Sequence, residues 1–342
     1  MQVHLRVAGS APADQTAEFA RRAEEAGFHG IGVPDTQLIM RDVYIALALA
    51  AQRTSTLDLM TAVTNPMTRH VSVLASLAQT VEELAPGRLT LVVGSGYSAV
   101  NTIGKKAATL KEMRESVTSL KALLAGDSVD FGGFQARLPY AAGRRIPVLL
   151  AATGPRTIEL AGEVADGALL AVGLHPGSMD AARSILHAGA RKAGRDPDKL
   201  EVVYLARVHV ADDLDAARDM ARPICAQWAL EPYRARWLRE AGVDLPDLEV
   251  PPELEGLYPD IPHAENWEEA RRLTSFLSDD LVTQICDVIG LVGGPDRLAA
   301  RLRDLDGQGV DKLFLSTMES YAHPESTLQA FAGGVFGKLR SS

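Results

Sequence analysis

The run at 149–167, LLAATGPRTIELAGEVADG, joins a short apolar stretch to a small polar turn that opens a helix. Thr153 reads as its N-cap, Pro155 suits the first turn, and Glu159 sits early. Free backbone N–H groups and the helix dipole at such a start attract phosphate, and Arg156 adds a fixed positive charge. Thr153, Gly154, Pro155, Arg156 and Thr157 are therefore candidate phosphate ligands. The plainer alternative is an ordinary capped helix with a solvated arginine. Gly94-x-Gly96-x-x-Ala99, also after an apolar run, has the spacing of a dinucleotide fingerprint. Its surroundings argue against a Rossmann unit. Asn101 to Ala108 is polar and contains glycine, which predicts no helix directly behind the glycines, and no second strand with an acidic end follows about 20 residues on.

Three further residues are candidates for proton transfer: His70 behind Thr68-Arg69, His175 in Gly173-Leu174-His175-Pro176, and Glu319 behind LFLSTM. Each has a non-chemical alternative. His70 would contact backbone at a helix start, His175 would order its loop, and Glu319 would be a solvated carboxylate. No Cys/His spacing marks a metal site. Cys225 and Cys286 are the two cysteines, and both fall in helical patterns, which predicts buried thiols rather than a disulfide.

The elements that must position these residues follow one cadence: an amphipathic helix, a glycine turn, then a short apolar strand. Glycine at 27, 87, 167 and 309 marks the turn, where the left-handed end of a helix tolerates it. Between Leu57 and Ala99 the pattern reads strand, Asn65-Pro66 break, helix with Leu74, Leu77, Ala78, Val81 and Leu84 on one face, then the strand Leu89 to Val93. Strands that are apolar on both faces belong to a parallel sheet, and their polar tips, Thr64-Asn65 and Ser95-Gly96-Tyr97-Ser98, then share one edge. Candidate strands lie at 2–8, 30–34, 57–63, 89–93, 147–151, 167–172, 200–209 and 311–316. Eight strands with helices between them predict an α/β fold, a closed (β/α)8 TIM barrel with insertions, rather than an open sheet. The whole chain, 1–342, reads as one such domain. Residues 127–138 form a small hairpin insertion, and residues 228–275, rich in proline and holding Trp228, Trp237 and Trp267, form an insertion or lid before the last barrel unit. These aromatics suit a substrate lid or subunit interface, or else a satellite core.

A hydrophobic fraction of 46% supports a large core, and a net charge of −9 argues against nucleic acid or an anionic membrane as partner. No apolar run is long enough to span a membrane, and the start, MQVHLRVAG, enters a strand directly, so a cytoplasmic protein is expected.

VTNPMTRH at 63–70, GSGYSAVNTIGKKAATLKE at 94–112, ATGPRTIELAGEVADG at 152–167 and GGPDRLAARL at 293–302 together resemble the bacterial luciferase-like flavin and deazaflavin oxidoreductases. The branch that contains methylenetetrahydromethanopterin reductase is the most similar. The resemblance runs over nearly the whole chain and implies a (β/α)8 barrel with a cofactor, F420 or alternatively FMN, at its C-terminal mouth. Ala62-Val63 would match a strand-three bulge that often holds a non-proline cis peptide. Thr64 and Asn65 would bond the ring's polar edge, Ser95, Gly96, Tyr97 and Ser98 would border the ribityl chain, and Thr153 to Thr157 would hold the phosphate. Hydride transfer with F420 is the implied activity; an FMN-dependent monooxygenase using O2 is the alternative. Asp35-Thr36 stands where the family often has Asp-His, which removes a histidine acid/base there and leaves Asp35 as a candidate. Arg6 replaces an acidic residue and, sharing a face with His4, would pair with Asp35. Tyr97 stands in place of an acidic residue common in deazaflavin users. His70 would lie near the cofactor rim. A small-molecule substrate and a homodimer or higher homo-oligomer are also implied.

Overall fold

A computed structural model describes residues 1–141, 143, 145–318 and 321–340. Glu319 lies outside the described residues. The barrel strands are β1 (Gln2–Arg6), β2 (Gly30–Val33), β3 (Asp58–Thr64), β4 (Leu89–Val93), β5 (Val148–Ala152), β6 (Gly167–Leu170), β7 (Glu201–Val210) and β8 (Lys312–Thr317). They follow one another in chain order, β6 pairs with β7, and β8 pairs in parallel with β1, which closes an eight-stranded (β/α)8 barrel. Every residue of β2 and β6 is buried, as expected for strands covered on both faces. A ninth strand, Gly290–Gly293, pairs with the far end of β7. Four apolar or glycine residues carry too little periodicity to reveal it in the sequence. A two-stranded antiparallel hairpin, Val129–Asp130 with Gln135–Ala136, lies within 127–138.

The chain divides into two compact units. One comprises Val7–Leu169 and Ile185–Val202. Charged clamps hold the N-terminal ends of its strands. Glu24 Oε1 accepts from the backbone N–H groups of Ser55, Thr56 and Leu57 at 3.0, 2.7 and 2.9 Å, fixing the turn into β3. Arg88 donates to the Leu57 and Ala51 carbonyls at 3.0 and 3.1 Å. The Asp166 carboxylate accepts from Val148 N, Lys121 Nζ and Arg145 Nη2 at 3.0, 2.9 and 3.0 Å. Burial opposes its charge, but these donors win and hold the carboxyl below its usual range. Glycine at 167 has a different reason from the one its helix-end position suggests. It is not left-handed; a Cβ there would lie 2.0 Å from the Glu201 carbonyl oxygen, so β6 and β7 could not approach.

The other unit comprises Met1–Arg6, Leu170–Ser184 and Val203–Ser342. Trp228 and Trp237 are fully buried within it, so they fill core rather than offer anchors. Trp267 donates its indole N–H to the Met220 carbonyl at 3.2 Å. Cys225 and Cys286 are buried free thiols with sulfurs 3.7 Å apart, as the helical patterns predicted. Among the described residues no helix is long and apolar enough to cross a membrane.

Candidate functional site

The C-terminal ends of β2, β3, β4 and β5 in the first unit carry most of the candidate residues. At the end of β3 the register shifts between Ala62 and Thr64, and the Ala62–Val63 peptide bond is cis, where the resemblance placed it. The bulge presses against the next loop. A Cβ at Gly94 would lie 2.7 Å from Val63 Cγ2, and one at Gly96, whose φ is +93°, would lie 3.2 Å from Asn65 Oδ1. Glycine at 94 thus makes room for the bulge, and glycine at 96 supplies a left-handed turn beside Asn65. A short helix, Tyr97–Asn101, does follow the glycines directly, contrary to the expectation drawn from Asn101 to Ala108. Gln37 donates its side-chain amide to the Ala99 carbonyl and ties the loop after β2 to this helix. Ser95 and Tyr97 are exposed, while Ser98 is buried.

Asn65 is buried and oriented by its own loop. Its Oδ1 accepts from the backbone N–H groups of Met67 and Thr68 at 3.0 and 2.9 Å and from the Thr68 hydroxyl at 3.1 Å. That leaves Nδ2 as a buried donor with no hydrogen-bond partner. An unmade buried hydrogen bond costs about 1–3 kcal/mol, so this donor is held at a cost that a hydrogen-bond acceptor placed beside it would relieve. Thr64 gives its hydroxyl proton to Asp35 Oδ2 at 2.7 Å. Its oxygen therefore has only acceptor capacity left for anything else.

Asp35, 3% exposed, is the centre of an ion-pair network that the sequence did not reveal. Arg69 binds it with both arms, Nε to Oδ2 at 2.9 Å and Nη2 to Oδ1 at 3.0 Å, and also reaches Asp42 Oδ2 at 2.8 Å. Asp42 in turn caps the helix Val43–Arg53, accepting from Tyr44 N and Ile45 N. Burial disfavours the Arg69 charge, but the bonds to Asp35 and Asp42 outweigh it and raise its pKa. The expected pairing of Arg6 with Asp35 is replaced by this one: Arg69 and Thr64 occupy the carboxylate. A TRH tripeptide just past a strand end carried the signal, but its reach back across 34 residues to Asp35 is tertiary.

At the start of the helix Pro155–Val164 the N-cap is Gly154, not Thr153, and no side chain caps it. Proline at the first helical position needs no N–H partner, Gly154 takes the extended cap conformation, and the Gly154 carbonyl accepts from Thr157 N and Ile158 N, both at 3.0 Å. Thr153, Pro155 and Thr157 are half-buried around it, and Arg156 is exposed. His70 caps the helix Val71–Leu84, its Nδ1 accepting from Ser72 N at 3.3 Å and lying 2.7 Å from the Ser72 hydroxyl, with its ring 5.2 Å from that of Phe131. His175 belongs to the other unit, where its Nδ1 accepts from Gly177 N at 3.2 Å. Both histidines thus order backbone through Nδ1.

The chain is a (β/α)8 barrel that carries, at the C-terminal ends of its strands, an unpaired amide donor and a helix start that no side chain caps. A family model described as luciferase-like monooxygenase matches residues 2–312, and the chain belongs to that family. It is 34% identical over 226 residues to 5,10-methylenetetrahydromethanopterin reductase of Methanolobus tindarius, covering 64% of this chain and 68% of that protein. It is 31% identical over 251 residues to the F420-dependent glucose-6-phosphate dehydrogenase of Nakamurella multipartita, covering 68% and 72%. In fold it is similar to the coenzyme F420 dependent tetrahydromethanopterin reductase of Methanopyrus kandleri, with a TM-score of 0.77, 20% identity and 99% of each chain covered.

Proposed function

We propose that this protein is a two-electron oxidoreductase that holds the deazaflavin F420 and moves a hydride between it and a small organic substrate, reducing a C=C, C=N or C=O bond or running the reverse. The observation that carries the reading is the buried, unpaired Asn65 Nδ2, held as a donor beside the cis bulge and the Gly94–Gly96 turn. The bound cofactor supplies the hydride carrier, which no amino-acid side chain provides. Asn65 donates to an acceptor on the ring edge, and Thr64 accepts there while its proton stays with Asp35. Ser95, Gly96, Tyr97 and Ser98 border the chain that leads to the phosphate. Gly154, the positive end of the helix dipole and Arg156 hold the phosphate itself, with Thr153, Pro155 and Thr157 shaping the turn. Asp35 works through Thr64, because Arg69 fixes its carboxylate and so fixes which way the threonine hydroxyl points. His70 and His175 each keep Nε2 as the ring nitrogen available for proton transfer.

F420-dependent dehydrogenases that align over about two thirds of the chain support the deazaflavin over FMN. An FMN-dependent monooxygenase is the second reading, favoured by Tyr97, half-exposed where deazaflavin users commonly place an acid. Side-by-side titration of the purified protein with F420 and FMN, followed by fluorescence quenching, decides between them. Tight F420 binding with weak FMN binding is expected; the opposite preference overturns the hydride-transfer reading, and binding of neither overturns both. Light scattering on the same sample tests the homodimer or higher homo-oligomer that we also propose.

A further inference from the structure

The chain carries 44 acidic residues against 35 lysines and arginines, yet the C-terminal ends of β4 and β5 run the other way. Gly94 to Lys111, leaving β4, contains no aspartate or glutamate. Neither does Phe131 to Ile158, which holds β5 and the turn behind it. The next acid after each stretch is engaged. Glu112 Oε2 accepts from the Thr109 backbone N–H and hydroxyl, both at 2.7 Å, and Glu159 Oε1 lies 3.0 Å from Lys192 Nζ. Lys105, Lys106 and Arg156 are exposed in these stretches, and none of them meets an acid within ion-pair distance among the described residues.

The loop that carries the two lysines is pinned to the barrel. Past the short helix Tyr97–Asn101, Gly104 turns with a φ of +66°. Lys105 N then donates to the Val100 carbonyl at 2.9 Å and Ala108 N to the Ser95 carbonyl at 2.8 Å, which folds 102–108 back onto the tip of β4. That tip adjoins the end of β5, since a Cβ at Gly94 would lie 3.9 Å from Ala151 Cβ. Arg156 follows in the next turn, so the three cations share one rim of one compact unit. Cations gathered on a rim with no acid between them attract anions, and several carboxylates on one flexible chain gain most from it.

We propose that Lys105 and Lys106 extend the Arg156 anchor into a docking surface for a polycarboxylate chain, and that its occupant is the oligoglutamyl tail that F420 carries beyond its phosphate. The inference rests on the cofactor reading of the same edge and adds the part of the ligand that lies outside the barrel. Each γ-linked glutamate offers one carboxylate, and adjacent lysines can each meet one. The contacts are exposed, so each contributes little and is screened by salt. FMN ends at its phosphate and has nothing to place on this surface.

Fluorescence-quenching titrations of the full chain test the surface by comparing F420 with its phospholactyl precursor, the same deazaflavin without glutamate, at low and high sodium chloride. F420 should bind about threefold to tenfold more tightly than the precursor at low salt, and the advantage should vanish at high salt. Lys105→Gln and Lys106→Gln should each shrink the advantage and together remove it. Lys199→Gln, at an exposed lysine just before the start of β7, should leave it in place. Equal affinity for the two ligands at low salt overturns the proposal and leaves the cofactor reading standing. So does an advantage that survives in the double variant or at high salt, or one that Lys199→Gln reduces as much. Binding of neither ligand overturns the cofactor reading and this proposal with it.

Discussion

Replacing Arg69 with methionine should be among the most damaging single changes in the first unit, and its cost can be worked from the network around Asp35. Asp35 is 3% exposed and receives two of the three Arg69 hydrogen bonds, at 2.9 and 3.0 Å. Removing one partner of a buried pair costs about 3–5 kcal/mol, because the remaining charge is left in a low-dielectric site. The third bond, to the partly exposed Asp42, adds less than about 1 kcal/mol. Methionine keeps much of the arginine stem's apolar contact, so the loss is chiefly electrostatic. Urea unfolding of Arg69→Met should thus show a loss of about 3–5 kcal/mol. Asp35→Asn should lose a comparable amount, while the double variant should fall short of the sum by about 2 kcal/mol, the signature of direct coupling. A loss below about 1 kcal/mol for Arg69→Met, or additive single effects, would refute a buried pair as the organiser of this loop.

Arg156→Ala should weaken F420 binding by about 1–3 kcal/mol in the quenching titration, the scale of a lost charge-assisted bond; unchanged affinity removes the phosphate anchor. Gly94→Ala would press a methyl against Val63 Cγ2 at 2.7 Å and should cost about 1–3 kcal/mol of stability together with cofactor affinity, whereas a wild-type denaturation midpoint would show that the bulge can yield. Asp166 titrates in the folded protein below its usual 3.8, so its contribution is complete above that value and drains as pH falls through the lower folded pKa. Asp166→Asn should accordingly lower stability at neutral pH and flatten the acid limb of the stability profile; an unchanged acid limb counts against the clamp.

The eight strands were legible because most are short and apolar and, β7 and β8 apart, are followed within a few residues by glycine, proline or asparagine, and each observed strand lies within two residues of its expected ends. The helix start at 155–164 was also legible, although its cap was not. Thr153 has the better capping side chain, but proline at the first helical position fixes Gly154 as the residue before it, and backbone geometry outranked side-chain preference. The Asp35–Arg69 pair escaped because ion pairing depends on which loops meet at the barrel edge, and spacing along the chain does not encode that.

The charged clamps on the first unit sit at the opposite ends of the strands from Asn65, Gly96 and Gly154. Glu24, Arg88 and Asp166 secure the strand starts, and none of them lies among the candidate site residues. Apart from the Asp35–Arg69–Asp42 network, the clamps and the candidate chemistry are therefore written on separate ends of the same strands. Loops at the candidate-site end that leave Asp35, Asp42 and Arg69 in place can be lengthened, exchanged or randomised in a laboratory library while the opposite end keeps the frame intact, which makes this chain a scaffold whose substrate range can be explored without first rescuing its fold.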